Sequence, residues 1–248
     1  MSPNWQKATI APGATHHLLG AEQMYMPRFD EVLAFHAPGL APVRDRSGAY
    51  HIRPDGLPAY ARRFRRTFGF YDELSTVEDA SGAYHIDPAG EAVSERRYAW
   101  CGNFQGGLCT ARDFKGRYLH VNREDAPVHT RRWSYAGDYR EGAAVVLDDD
   151  GLHVHIDVAG QPLGTGRYLD LDVFHKGFAR ARDTAGWFHI RRDGKPAYAV
   201  RFAMVEPFYN GQARCGQSDG ELVIIDENGR QQVGLSGSTK GSGQGSGG

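Results

Sequence analysis

The chain has 248 residues, 40% of them hydrophobic, with 29 basic and 30 acidic side chains and a net charge of −1. That length can bury a sizeable core without disulfides or metal, and near-neutral charge argues against a strong general attraction to nucleic acid. The three cysteines, Cys101, Cys109 and Cys215, are an odd number without CxxC spacing, so neither a disulfide framework nor a zinc knuckle is implied, and a reducing compartment fits best.

Residues 1–25 read as an irregular lead-in outside the pattern that follows. They lack the continuous apolar run of a signal peptide, and no later stretch is long and apolar enough to span a membrane, so a cytoplasmic protein is expected. Lysine is scarce and arginine abundant, which with the Ala and Gly content suggests a GC-rich bacterial genome.

From Met26 a repeat sets in. Strand starts recur at Tyr50-His51-Ile52, Tyr84-His85-Ile86, Leu119-His120-Val121, Val154-His155-Ile156, Phe188-His189-Ile190 and Val223-Ile224-Ile225, at steps of 34, 35, 35, 34 and 35 residues. Arginine-aromatic pairs keep the same beat at Arg28-Phe29, Arg63-Phe64, Arg97-Tyr98, Arg132-Trp133, Arg167-Tyr168 and Arg201-Phe202, and a further aromatic follows each at Phe35, Phe70, Phe104, Tyr139, Phe174 and Phe208. Chance does not hold three registers for six rounds. Each strand start runs into a Gly-bearing hairpin such as Asp55-Gly56, Ala89-Gly90 or Asp193-Gly194. The third, Arg123-Glu124-Asp125, has no Gly and is expected to be a different turn. Neighbouring units meet through a second set of Gly-bearing turns, giving three or four short strands per unit and almost no helix.

The array begins with the second half of a unit, Arg28 to Asp45, and ends with the first half of one, Gly220 to Gln232. A split unit suits a ring whose first and last segments pair. Residues 26–233 are therefore expected to form an all-β closed six-fold toroid, a small six-bladed β-propeller acting as a monomer, with an open β-hairpin solenoid as the alternative. Residues 234–248, rich in Gly and Ser, read as a flexible linker or tag remnant.

Phe104-x-x-Gly107-Leu108, Tyr139-x-x-Gly142-Ala143-Ala144 and Phe174-x-x-Gly177-Phe178-Ala179, with the hairpins opening at Ile86-Asp87, Ile156-Asp157 and Ile225-Asp226, resemble bacterial WG β-hairpin repeat proteins over about residues 26–232. Trp187 stands at the family's Trp, with Phe188 in place of its Gly. The resemblance implies an interaction or recognition module, of the kind found in N-terminal repeat regions beside bacterial methyltransferase domains. The chain has no methyltransferase glycine motif, so only the accessory role carries over.

Two series could bind a ligand. His51, His85, His120, His155 and His189 occupy one repeat position, with Ile224 in the sixth copy, and facing a channel they could hold a metal or an anion. Packed within sheets, they would be half-buried aromatic surrogates. Arg28, Arg63, Arg97, Arg132, Arg167 and Arg201 stand in all six copies and suit bidentate capture of phosphate or carboxylate, or else stacking and pairing with repeat aspartates such as Asp45, Asp79, Asp113 or Asp183. His153-x-His155 and His16-His17 lack a third metal ligand, neither Cys101 nor Cys109 has an adjacent His, and Asp148-Asp149-Asp150 reads as a solvated turn.

No catalytic or cofactor motif is present, and no cofactor is expected. The sequence predicts a non-catalytic binding module that presents a rim or central channel to a protein, peptide or small anionic ligand, accessory to an enzyme domain. An enzyme or ion site at the ring centre is the alternative, and a carbohydrate-binding role would require exposed aromatics. Function is expected where copies depart from the repeat: Arg62, Arg63, Arg65 and Arg66 around Phe64; Trp100; Leu169-Asp170-Leu171-Asp172; and Glu206-Pro207-Phe208-Tyr209-Asn210.

Overall fold

The computed structural model describes residues 4–235. Apart from a single 3-10 turn at Trp5–Lys7, the regular elements among them are all strands. Seven antiparallel sheets follow one another along the chain. The first comprises Ala8–Ile10, His17–Leu19 and Glu22–Gln23; the second Glu31–Val32, Ala41–Asp45 and Gly48–Ile52; the third Arg66–Tyr71, Leu74–Asp79 and Gly82–Ile86; the fourth Trp100–Cys101, Leu108–Arg112 and Tyr118–Asn122. The fifth holds Tyr135–Ala136, Ala144–Leu147 and His153–Ile156, the sixth Asp170–Leu171, Phe178–Asp183 and Gly186–Arg191, and the seventh Met204–Val205, Gln212–Gly216, Leu222–Asp226 and Gln231–Leu235. Small antiparallel sheets repeated in this way are the units from which β-propellers are built.

Three expectations need correction. The lead-in is not irregular: residues 8–23 form a sheet, in which His17 is fully buried. The phase of the repeat also differs. Two-residue hairpins pair Asp45 with Gly48, Asp79 with Gly82 and Asp183 with Gly186, locking the strands on either side into one sheet. Residues 28–45 therefore share a sheet with Gly48–Ile52, and residues 220–232 share one with Met204–Val205 and Gln212–Gly216. The terminal segments expected to complete each other belong to separate, whole sheets.

The third correction concerns the turn without glycine. The amide of Asp125 donates to the Asn122 carbonyl at 2.9 Å, as Gly56 does to Arg53 and Gly90 to Asp87. Asp125 itself takes the positive φ, 59°. It is the same turn, built with an aspartate. The proposed linker at residues 234–248 lies almost wholly outside the described residues.

The third strand of a sheet ends in a bridge to the residue six positions on, Ile52 to Pro58, Val121 to Pro127, Ile156 to Pro162 and Ile190 to Pro196. In these four copies proline, which has no amide to donate, occupies the bridge; the third sheet has Ala92 there, bridged to Ile86, and likewise forms no fourth strand. The seventh sheet has no proline at this point, and Gln231–Leu235 runs on as a full fourth strand.

The chain divides into two compact units, residues 1–139 with 146–149 and 158–160, and residues 140–145 with 150–157 and 161–248. In the first, Tyr25, Phe29, Val43, Tyr50 and Ile52 make one apolar cluster, Phe64, Val77, Tyr84 and Ile86 a second, and Tyr98, Cys101, Phe104, Cys109 and Val121 a third. In the other unit a single cluster runs from Ala143 through Phe174, Phe188 and Phe208 to Ile225.

Candidate functional site

The histidine series lies in seams between successive sheets. His51, His85, His120, His155 and His189 are at most 3% exposed, and each ring meets the landmark aromatic of the next sheet: His51 with Phe70, His85 with Phe104, His120 with Tyr139, His155 with Phe174, His189 with Phe208, at centroid separations of 4.1–4.6 Å. His17 meets Phe35 in the same way at 4.4 Å. Nε2 donates to a carbonyl of the next sheet's entry segment: His51 to Phe68 at 2.8 Å, His120 to Gly137 at 2.9 Å, His155 to Asp172 at 2.8 Å and His189 to Glu206 at 2.8 Å. With that proton fixed on Nε2, Nδ1 of His51 and of His189 accepts from the hydroxyls of Tyr60 and Tyr198. Burial lowers the pKa of His51, His120, His155 and His189 to about 4, so these rings are neutral. Their lone pairs and protons are committed to the seams.

Glycine is required where the tyrosine crosses to the next hairpin. A Cβ on Gly90, whose φ is +83°, would stand 2.6 Å from the Tyr60 ring; Gly229 is related to Tyr198, and Gly160 to His129, in the same manner. Two seams depart from this: after His155 the position is Gly164, which packs on Gly194, and after His85 it is a serine. Ser94 replaces the tyrosine, and Asp125, 1% exposed, replaces the glycine and accepts hydrogen bonds from Ser94 and from the Tyr98 hydroxyl at 3.1 Å. Its carboxylate lies 3.6 Å from His85 Nδ1, while Cys109 Sγ lies 3.4 Å from His85 Nε2. Cysteine, histidine and aspartate thus stand in line, although neither cysteine has an adjacent histidine in sequence. The arrangement is nevertheless structural: Cys109 is 2% exposed, burial pushes its thiol well above the ordinary range, and Ser75 fills the same position beside His51.

The arginine series is likewise engaged. Arg63, Arg97 and Arg201 lie flat over Tyr50, Tyr84 and Phe188 at 3.6, 3.7 and 3.5 Å. The same arginines and Arg132 cap carbonyls of the preceding turn, for example Arg97 to Ser94 at 3.1 Å. Asp183 pairs with Arg201 at 2.8 Å, and Asp150 with Arg167. Arg28 is exposed and donates to Met26 and Pro27. In three copies, then, the guanidinium is stacked on the aromatic that precedes the repeat histidine, within its own repeat unit. His16 bonds Thr15, His153 is half-buried, and no group of three metal-ligating side chains forms among the described residues.

What remains is the solvent-facing column. Directly paired residues share one face of a sheet, and at one level of the ladders the pairing runs Glu31-Arg44-Ala49, Arg66-Glu78-Ala83, Trp100-Arg112-Tyr118 and, in the second unit, Asp170-Arg182-Trp187. Here the copies differ most. Between the fourth and fifth sheets Trp100, Tyr118 and Tyr135 line a cleft of about 390 Å³ with Arg112, Thr110 and Asp138. Trp100 is 40% and Tyr135 45% exposed, and the Tyr118 ring sits between them, 6.4 Å from Trp100 and 5.5 Å from Tyr135. Arg112 stands 5.9 Å from the Tyr118 centroid, and Asp138 accepts from the Thr110 hydroxyl at 2.7 Å. The sequence marked Trp100 as a departure. Tyr118 and Tyr135 were missed, although two repeat columns, two residues before the histidine and two after the paired aromatic, hold them.

No protein-family model matches the chain, and no curated protein does. Among solved structures it is similar to a computationally designed protein (TM-score 0.47, 12% identity, covering 92% of this chain and 82% of that one). It is also similar to BamB from Moraxella catarrhalis (0.47, 12%, 94% and 86%) and to the WD40 β-propeller domain of Doa1 (0.36, 12%, 82% and 81%). No helix among the described residues is long and apolar enough to cross a membrane.

Proposed function

We propose that the chain is a non-catalytic binding module and that the cleft of Trp100, Tyr118 and Tyr135 captures an extended segment of a partner protein. The exposure of two large rings around a third in one concave site carries this reading, since aromatic anchors flanked by arginine dominate binding surfaces. The rings suit a proline or apolar side chain, and Arg112 suits a carboxylate next to it. In a longer polypeptide such a module would bring that segment to an enzyme domain, the role the WG-repeat resemblance implies.

Selection from a displayed peptide library tests this. Enriched peptides should lose at least tenfold in affinity for Trp100→Ala and Tyr135→Ala and keep their affinity for Tyr209→Ala, whose ring is 71% exposed elsewhere. Enrichment of nothing, or of peptides indifferent to both cleft variants, would refute the reading. The same exposed rings also favour a second reading, a carbohydrate ligand, which would be supported if oligosaccharides instead bind in a Trp100-dependent way.

A further inference from the structure

The same ladder level carries a cleft of opposite chemistry between the second and third sheets. It measures about 450 Å³, with Leu33, Pro42 and Phe68 on its walls and Arg44, Arg65 and Arg66 at its edges. Ala49 stands here where the aromatic cleft has Tyr118, and the small side chain leaves the space open.

We propose that this cleft binds an anion carried on an apolar body, a phosphate monoester or a carboxylate. Its charges are incompletely balanced. Arg44 pairs with Glu31 at 3.2 Å, while Arg65 and Arg66 share one carboxylate, Glu78, at 3.3 and 4.0 Å. Three arginines against two glutamates leave one positive charge. The arginine side chains are 56%, 67% and 63% exposed, so these pairs hold them loosely. An incoming oxyanion can offer two acceptors to a planar guanidinium fork, a stronger arrangement than one oxygen of a shared glutamate. Arg66 lies 5.3 Å from the Phe68 centroid, which places its charge beside an apolar wall. A ligand with both characters satisfies the cleft, whereas a bare anion leaves Leu33, Pro42 and Phe68 wet. The repeat does not demand these arginines, because Trp100 and Tyr135 replace Arg66 in later copies.

The test is a calorimetric and NMR titration of the full chain with phenyl phosphate, phenylacetate and inorganic phosphate. Phenyl phosphate or phenylacetate should bind and shift resonances of Leu33, Ala49 and Phe68; Arg66→Gln and Arg65→Gln should each weaken binding at least tenfold, and inorganic phosphate should bind at least tenfold more weakly. Preference between the two aromatic probes identifies phosphate or carboxylate as the anion. Lys115→Gln, at an exposed turn, should leave binding unchanged, and so should Trp100→Ala, which separates this site from the peptide cleft. The proposal falls if neither aromatic anion binds at millimolar concentration, if Arg66→Gln binds as wild type, if Lys115→Gln weakens binding equally, or if inorganic phosphate binds as tightly. Arg65 and Arg66 are exposed, and an unchanged melting temperature will show that their variants fold.

Discussion

The seams between sheets and the exposed ladder column obey opposite rules. In a seam, histidine and the opposing aromatic recur from His17 to His189, because a close-packed contact has few solutions and each copy must find one. On the exposed column the same backbone carries Glu31, Arg66, Trp100 and Asp170 at one equivalent position. The seam constrains the fold, and the column is free to specialise. Binding should therefore be sought where repetition fails in solvent, and stability where it holds in the interior.

Breaking a seam should have the largest effect. Phe174→Ala, removing a fully buried ring stacked 4.1 Å from His155, should cost about 3–5 kcal/mol in urea unfolding. A wild-type midpoint would show that the seams do not hold the sheets. Acid should weaken the seams together. The four histidines with folded pKa values of about 4 stay neutral while the unfolded chain protonates near 6.5. Stability is then full above about pH 6.5, falls as pH drops toward 4, and loses about 3 kcal/mol per histidine by the bottom of that window. Stability that is flat between pH 7 and 4 would contradict the buried neutral rings.

Gly90→Ala should cost about 1–3 kcal/mol through its positive φ and the Tyr60 contact. The double variant with Tyr60→Ala should recover the part due to the ring, measured as a non-additive cycle. Smallest of all, Trp100→Ala should change stability by less than about 1 kcal/mol, since its ring is 40% exposed, while abolishing capture of selected peptides. A large loss of stability there would move Trp100 from the column to the seams.

Much of the fold was legible because its landmarks are the packed residues themselves: His51 and Phe70 repeat because they meet each other, and Arg63 because it stacks on Tyr50 beside that histidine. The phase was not. Strand patterns mark where strands lie, but the choice of sheet partner rests on hairpin geometry at Asp45-Gly48 and its equivalents. His17 reads in the sequence only as a metal ligand beside His16 and does not join the series, because its hydroxyl partner Tyr25 and ring partner Phe35 each come one residue earlier than in later copies, and Leu18 replaces the isoleucine. Asp125 was read as a missing glycine, when its carboxylate serves a tyrosine-free seam that only three-dimensional proximity to Ser94 and His85 reveals. The aromatic cleft needed both sheets: Tyr118 and Tyr135 are 17 residues apart and meet across a seam.

The seam bond also has a direction. His51, His120, His155 and His189 each sit on the last strand of their sheet and reach forward to a carbonyl at the entrance of the next, so the front and back of these sheets are chemically distinct, donor facing acceptor. Copies can consequently be joined only head to tail. A sheet transplanted into this array, by gene duplication or by design, will fit when cut between its histidine strand and the following hairpin tyrosine is avoided and the histidine, its Nδ1 partner and the next glycine travel as one cassette.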